Sequence, residues 1–241
     1  MAIMQKLQLH FHFGAHISAS HFKQAKGAFE KFGPFDVFSS EHAASRQINY
    51  KRANIEQNKE LAQFRRLPKK TKQEIFSPDE NYDSALFNFL LSKNIISAPL
   101  ESYSQNAIKR NMRIRKALFP KKIEHLKYFS FDDMLARDFD ILSCMFDYYG
   151  RLKPILEKFS PSLLKKEILR AFCCLGANHL LLAHLAKKRA EGTAISISQS
   201  FSYPAHKKLF DKYAHISEEN FRLFYKDIAV DIFRTVKEAG L

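Results

Sequence analysis

The start of the sequence alternates apolar and polar residues in the stretch KLQLHFHF, and this alternation is the strongest constraint on the fold. Successive side chains of a β-strand point to opposite sides, so a period of two predicts a strand with two unlike faces. The apolar face comprises Leu7, Leu9, Phe11 and Phe13. The polar face comprises Gln8, His10 and His12. The pattern indicates that His10 lies on a solvated face.

A helix and a second strand follow directly. The segment SASHFKQAKGAFEKFG repeats its apolar residues at helical spacing and ends at a glycine, and PFDVFSSE then predicts a strand. Strand, helix and strand within about 35 residues are typical of a βαβ unit with a parallel strand pair. The carboxyl ends of parallel strands meet at one edge of the sheet, so we expect His16 and Glu41, which follow the two strands, at that edge.

The remainder of the chain continues the mixture of strands and helices. IISAPLE, FCCLGANH and TAISIS predict three further strands, and SPSLLKKEILRAF predicts a helix before the second of them. There is no internal repeat and no obvious linker. We therefore expect one α/β domain over residues 1–241, with a mixed, largely parallel central sheet flanked by helices and with basic helical insertions at about 43–75 and 104–128.

Basic charge is concentrated in those two insertions. Lysine and arginine outnumber aspartate and glutamate by 39 to 25, which gives a net charge of +14. Two solvated helical faces account for such a charge, and the alternative is an anionic partner, for which an acidic substrate or a nucleic acid would fit. No recognised nucleic-acid-binding motif occurs, so a nucleic acid is the less favoured partner. No apolar run is long enough for a membrane span, so no membrane partner is expected.

The cysteines and the N-terminus indicate a cytoplasmic protein. Cys144, Cys173 and Cys174 show no CxxC spacing, which argues against a structural zinc site, and their apolar surroundings favour buried, reduced thiols. The first residues lack the apolar run and the cleavage site of a signal peptide.

The pair His10 and His12 is one candidate metal site. Two imidazoles at positions i and i+2 of a strand project to the same side and can bind one divalent ion, as at the start of metal-dependent amidohydrolases. Those enzymes are eight-stranded barrels with later histidine and aspartate ligands, and eight strands are not found here.

The clearest helical segment is FSFDDMLARDFDILSCMFDYYG. Ser130 followed three residues later by Asp133 forms a capping-box pattern at its start. Asp138 falls inside the apolar stripe of this helix and Arg137 lies at its flank. A carboxylate on an apolar face requires a partner, because an unpaired buried charge costs stability.

A second candidate site combines four residues that each follow a predicted strand. They are His16, Glu41, Glu101 and His179. Imidazole and carboxylate groups are the usual ligands of a catalytic divalent metal, and they also serve as general acids and bases. Solvated loop positions are the alternative interpretation.

These residues lie in motifs that resemble the TIKI/TraB family, within the superfamily of erythromycin esterases and ChaN-like haem-binding proteins. The opening FGAHISASHFKQAKGAFEKFGPFDVFSSEHAASR is similar to the family's first strand, helix and second strand, with Glu41 and Arg46 on family positions. IISAPLESY, LARDFDILSCM and LGANHLLLAHLAKKRAEGTAISIS resemble its later motifs in family order. The likeness spans residues 7 to 200. It departs at the start, where Gly14 precedes His16 by two residues and leaves His12 as a rival ligand.

The resemblance implies a metal-dependent hydrolase of peptide or amide bonds, with its pocket at the strand carboxyl ends. It implies that His16 or His12, with Glu41 and His179, holds a divalent ion. It further implies that Glu41 and Glu101 are catalytic, with Glu101 as the general base, that Arg137 steadies the oxyanion, and that Arg46 and Asp138 face the substrate. Relatives that bind ligands without catalysis make a haem-binding or peptide-binding protein the alternative.

Overall fold

The fold is taken from a computed structural model, which describes residues 5–14, 19–40, 92–98, 130–215 and 217–238 and the single residues 59, 63, 66, 89, 109, 110 and 113. Its strands are β1 (Lys6–Gly14), β2 (Val37–Ser40), β3 (Ile96–Ser97), β4 (Ile168–Gly176) and β5 (Ile195–Phe201). Its longer helices are α1 (Ala19–Phe32), α2 (Phe131–Phe146), α3 (Tyr148–Phe159), α4 (Leu180–Ala190), α5 (Pro204–Lys212) and α6 (Glu218–Glu238).

The described strands form one sheet in the order β3-β2-β4-β1-β5, and every pair is parallel. The predicted α/β class is therefore confirmed, and the sheet is parallel throughout its described strands rather than mixed. The predicted helix over residues 160–172 is wrong. Pro161–Lys165 is a short 3-10 helix, and β4 already begins at Ile168.

Helices pack on both faces of the sheet, because alternate side chains of the central strand β4 enter two different cores. Phe172 and Cys174 pack with Phe29 of α1 on one face. Cys173 and Leu175 lie on the other face in a core that includes α2, α4 and α6. Buried side chains on both faces are typical of parallel sheets.

The strand order reverses between β1 and β4. From β1 the chain runs through α1 to β2 on one side, whereas from β4 it runs through α4 to β5 on the other side. The two connecting helices lie on opposite faces of the sheet. Such a reversal leaves a crevice at the strand carboxyl ends, and open parallel sheets bind their ligands there.

Six residues of the two basic insertions are described, and all six are helical: 59, 63 and 66 in the first insertion and 109, 110 and 113 in the second. Arg110 forms an ion pair with Asp140, and Arg113 forms a two-pronged ion pair with Asp133. Both aspartates lie on α2, so part of the basic charge is neutralised by this helix. Within the described residues, no helix has both the length and the apolar character needed to cross a bilayer.

Candidate functional site

Helix α2 delivers two charged side chains into the interior. The hydroxyl of Ser130 accepts a hydrogen bond from the backbone N–H of Asp133 at 3.2 Å, so the predicted N-cap is confirmed. Two turns further on, Asp138 is fully buried and Arg137 is 7% exposed. The apolar stripe of α2 therefore carries this aspartate into the core, as its position in the sequence predicted.

Asp138 meets His179 there. β4 ends at Gly176, and the 3-10 turn Ala177–His179 follows it directly. His179 therefore lies at the carboxyl edge of the sheet, where the strand order reverses. Nδ1 of His179 is hydrogen-bonded to Oδ1 of Asp138, and both side chains are fully buried. A carboxylate can only accept, so Nδ1 carries the proton of a neutral His179 and Nε2 is the nitrogen through which it would act.

Tyr225 completes this cluster from the C-terminal helix α6. Its hydroxyl donates a hydrogen bond to Oδ2 of Asp138, and the tyrosine is 1% exposed. Burial, followed by the negative charge of Asp138, holds the pKa of Tyr225 well above its usual value of 10. The positive charge of Arg137 acts in the opposite direction, which shows that its guanidinium lies within electrostatic reach of the phenol.

Asp138, His179 and Tyr225, termed the buried triad below, join three separate elements: α2, the end of β4 and α6. An imidazole that is held by a carboxylate through Nδ1 is the usual arrangement of a metal-bound histidine, and also of a catalytic base. His179 and Asp138 therefore fit a metal ligand and its supporting carboxylate. Within the described residues, no group of three or more histidine, cysteine, aspartate or glutamate side chains could hold an ion.

The structure brings Arg137, Asp138 and His179 together among the predicted site residues. His16, Glu41, Arg46 and Glu101 lie outside the described residues, so their roles stay predictions. Tyr225 was not identified from the sequence. The sequence feature that could have identified it is a tyrosine within the apolar repeat Phe221, Phe224, Tyr225 and Ile228. A tyrosine in such a repeat is buried, and a buried phenol needs a polar partner.

His10 and His12 occupy a different environment from the buried triad. The expectation of a solvated face is wrong, because α1 covers it and the two histidines are 4% and 2% exposed. His10 stacks on Phe32 at 4.5 Å between ring centroids and on Phe172 at 5.7 Å. Burial lowers the pKa of His10 to about 4, so its imidazole is neutral near pH 7.

Three serines after Ile197 are the hydrogen-bond partners of these two histidines, and the middle one, Ser200, contacts both. His10 contacts Ser198 and Ser200 at 2.8 and 2.9 Å, and His12 contacts Ser200 and Ser202 at 2.9 Å each. Both ring nitrogens of His12 thus have serine partners. Its alternative role as a metal ligand stays a prediction, and these contacts favour His16 for that role.

The three cysteines are buried thiols, as their sequence context predicted. Cys173 is fully buried, and desolvation raises the pKa of its thiol far above the usual range. A thiolate is the nucleophilic form of cysteine, so burial disfavours the reactive form of Cys173 in the folded chain.

Comparisons with known proteins give no match among protein-family models, curated proteins or solved structures. The buried triad and its position at the strand reversal are thus the basis for a functional proposal.

Proposed function

We propose that the chain is a metal-dependent hydrolase of the TIKI/TraB type that cleaves peptide or amide bonds in an acidic substrate. The observation that carries the proposal is the position of His179. It follows β4 at the strand reversal and is held by Asp138 through Nδ1. Ligand sites of open parallel sheets lie at this place, and a carboxylate-held imidazole is suited to metal or acid–base chemistry.

In this proposal His179 acts through Nε2, together with His16 and Glu41 as the other ligands. A bound divalent ion would supply Lewis-acid polarisation of the scissile carbonyl. Glu101 takes a proton from the attacking water as general base. Both carboxylate oxygens of Asp138 have partners within the buried triad, so Asp138 acts as a positioning residue rather than as a substrate contact.

Arg137 stabilises the oxyanion through its fixed positive charge. Its side chain is buried next to the triad, where a charge is screened less than at the surface. The net charge of +14 favours an acidic substrate, because a positive field raises the local concentration of anions.

The test combines metal analysis with a peptide-cleavage assay. The purified chain is expected to retain roughly one divalent ion per molecule, and His179→Ala to lose it, because a ligand is removed. Quenched fluorescent peptides rich in aspartate and glutamate serve as substrates, with Glu41→Gln and Glu101→Gln as the catalytic variants. Replacement of the exposed His215 by alanine is the matched control and should change neither readout.

Three results would overturn the proposal. The first is cleavage that persists in both glutamate variants. The second is a chain that holds no divalent ion and stays inactive when Zn²⁺, Mn²⁺ or Mg²⁺ is added. The third is a haem Soret band on titration, or nucleic acid that copurifies and is displaced by salt, in a chain without hydrolytic activity. That last result would favour a binding protein instead.

A further inference from the structure

We propose that five side chains between β1 and β5 form a proton relay, termed the serine–histidine relay. In spatial order they are Ser198, His10, Ser200, His12 and Ser202. Four hydrogen bonds of 2.8 to 2.9 Å join each member to the next, so the chain has no gap. The relay is separate from the buried triad and does not depend on which reaction the chain catalyses.

Strand register produces this continuity. His10 is opposite Ser198 and His12 is opposite Ser200 in the parallel pairing of β1 with β5. Residues two apart share a face, so each imidazole can reach its own partner through Nδ1 and the next serine through Nε2. At about 3.3 Å per residue, the path from Ser198 to Ser202 covers roughly 13 Å along the strand direction.

The two ends of the relay differ in their surroundings. Ser198 is exposed to solvent, whereas Ser202 follows the end of β5, at the carboxyl edge of the sheet. β1 reaches the same edge at Gly14, which is paired with Gly176, three residues before His179. The relay therefore runs from solvent to the edge that carries the candidate site.

The chemistry of the members allows a proton to move without a net change in the charge of any member, and each transfer leaves both histidines in the opposite tautomer. A neutral imidazole has one N–H and one bare nitrogen, and a hydroxyl has one proton. The Ser198 hydroxyl gives its proton to Nδ1 of His10 and regains one from water, while Nε2 of His10 gives its proton to Ser200. Ser200 passes its own proton to Nδ1 of His12, Nε2 of His12 gives its proton to Ser202, and the original Ser202 proton leaves at the edge.

Burial keeps the relay on this path. His10 and His12 lie under the rings of Phe32 and Phe172, which limit contact of their imidazoles with water. The low pKa of His10 keeps its ring neutral, which is the state with one donor and one acceptor nitrogen.

Ser200 couples the two histidines, and this coupling can be tested. Its single hydroxyl proton can be donated to His10 or to His12, but not to both. A carboxylate only accepts hydrogen bonds, so in the variant Ser198→Asp the imidazole of His10 must carry its proton on Nδ1. Ser200 must then donate its proton to Nε2 of His10. As a result, His12 must be protonated on Nδ1, which donates to the oxygen of Ser200. In Ser202→Asp the same reasoning places the proton on Nε2 of both histidines.

The measurement is the ¹⁵N spectrum of the imidazole rings at about pH 8, above the ordinary histidine pKa of about 6.5. Between the two variants, each histidine should exchange its protonated and bare nitrogens, including the histidine that does not touch the substituted residue. Ser196→Asp adds the same charge at an exposed position of β5 and should leave both rings as in the parent chain.

A second comparison uses Ser198→Asp with and without Ser200→Ala. Removal of the shared hydroxyl should abolish the response of His12 to Ser198→Asp while that of His10 remains. The proposal is overturned if the remote histidine holds the same tautomer in Ser198→Asp and Ser202→Asp. It is also overturned if His12 responds to Ser198→Asp equally well without the Ser200 hydroxyl.

Discussion

The hydroxyl of Tyr225 on α6 donates a hydrogen bond to Asp138 on α2, and both residues are almost completely buried. The second oxygen of the same carboxylate is bonded to His179. A buried carboxylate is stable only when its oxygens have partners, and here it has one on each. Tyr225 therefore fixes the carboxylate that in turn fixes the imidazole.

The first prediction concerns this phenol. Tyr225→Phe should lower the free energy of unfolding by about 1–3 kcal/mol, because the buried carboxylate loses one of its hydrogen-bond donors. Urea denaturation measures the change. Tyr213→Phe provides a comparison, since the Tyr213 hydroxyl donates to Asp227, whose side chain is 39% exposed and can be resolvated. Equal losses in the two variants would contradict the assigned role of burial.

The second prediction concerns the cap of α2. Ser130→Ala should destabilise the chain by about 0.5–2 kcal/mol, because the backbone N–H of Asp133 loses its acceptor at the helix end. Ser143→Ala is the matched control, as this serine is exposed on the same helix and a surface substitution changes stability by about 0.5 kcal/mol at most. Thermal or urea unfolding measures the stability of both variants. Indistinguishable unfolding curves would mean that the Ser130 cap does not stabilise the helix.

Much of the described fold was predictable because its signals are local. The alternation in KLQLHFHF, the helical repeat of SASHFKQAKGAFEKFG and the cap at Ser130 each belong to one element, and each appears in the structure. The helix predicted over residues 160–172 failed because the apolar residues of SPSLLKKEILRAF also fit a helical spacing, whereas the pairing of β4 with the distant strand β1 leaves no local signal.

The candidate site was predictable only in part, because partners depend on topology. Asp138 was recognisable as a carboxylate in an apolar stripe, but the sequence offered no way to pair it with Tyr225, which lies 87 positions away. His10 was placed on a solvated face because the alternation distinguishes the two faces without saying what covers them. The structure covers that face with α1 and supplies serines from β5.

The third prediction concerns the shared serine between His10 and His12. Ser200→Ala removes two hydrogen bonds and leaves imidazole nitrogens with fewer partners in a largely apolar layer. The expected loss is about 1–3 kcal/mol, whereas Ser196→Ala at an exposed position of the same strand should change stability by about 0.5 kcal/mol at most. Equal unfolding free energies for both variants would show that the shared hydroxyl adds nothing to stability.

The fourth prediction concerns acid. The pKa of His10 is about 4 in the folded chain against 6.5 as its ordinary value, so the unfolded chain binds a proton first as the pH falls. The contribution of His10 to the free energy of unfolding is fully present above about pH 6.5. It falls by about 3 kcal/mol as the pH falls from 6.5 towards 4. Urea denaturation between these pH values measures it. His10→Gln should flatten the dependence, whereas substitution of the exposed His215 should not.

The fifth prediction concerns alkali and the buried phenol. The pKa of Tyr225 is raised well above 10 in the folded chain by burial and by Asp138, so the unfolded chain loses this proton first as the pH rises. Stability from Tyr225 is fully present below about pH 10 and should fall by about 1.4 kcal/mol per pH unit above it. Tyr225→Phe lacks this proton, so its stability should fall less steeply, and the two curves should converge with rising pH.

The other eight of the nine tyrosines are present in both chains and cancel in the difference. Parallel curves would mean that the phenol ionises equally in the folded and unfolded chains, which its hydrogen bond to a buried carboxylate forbids.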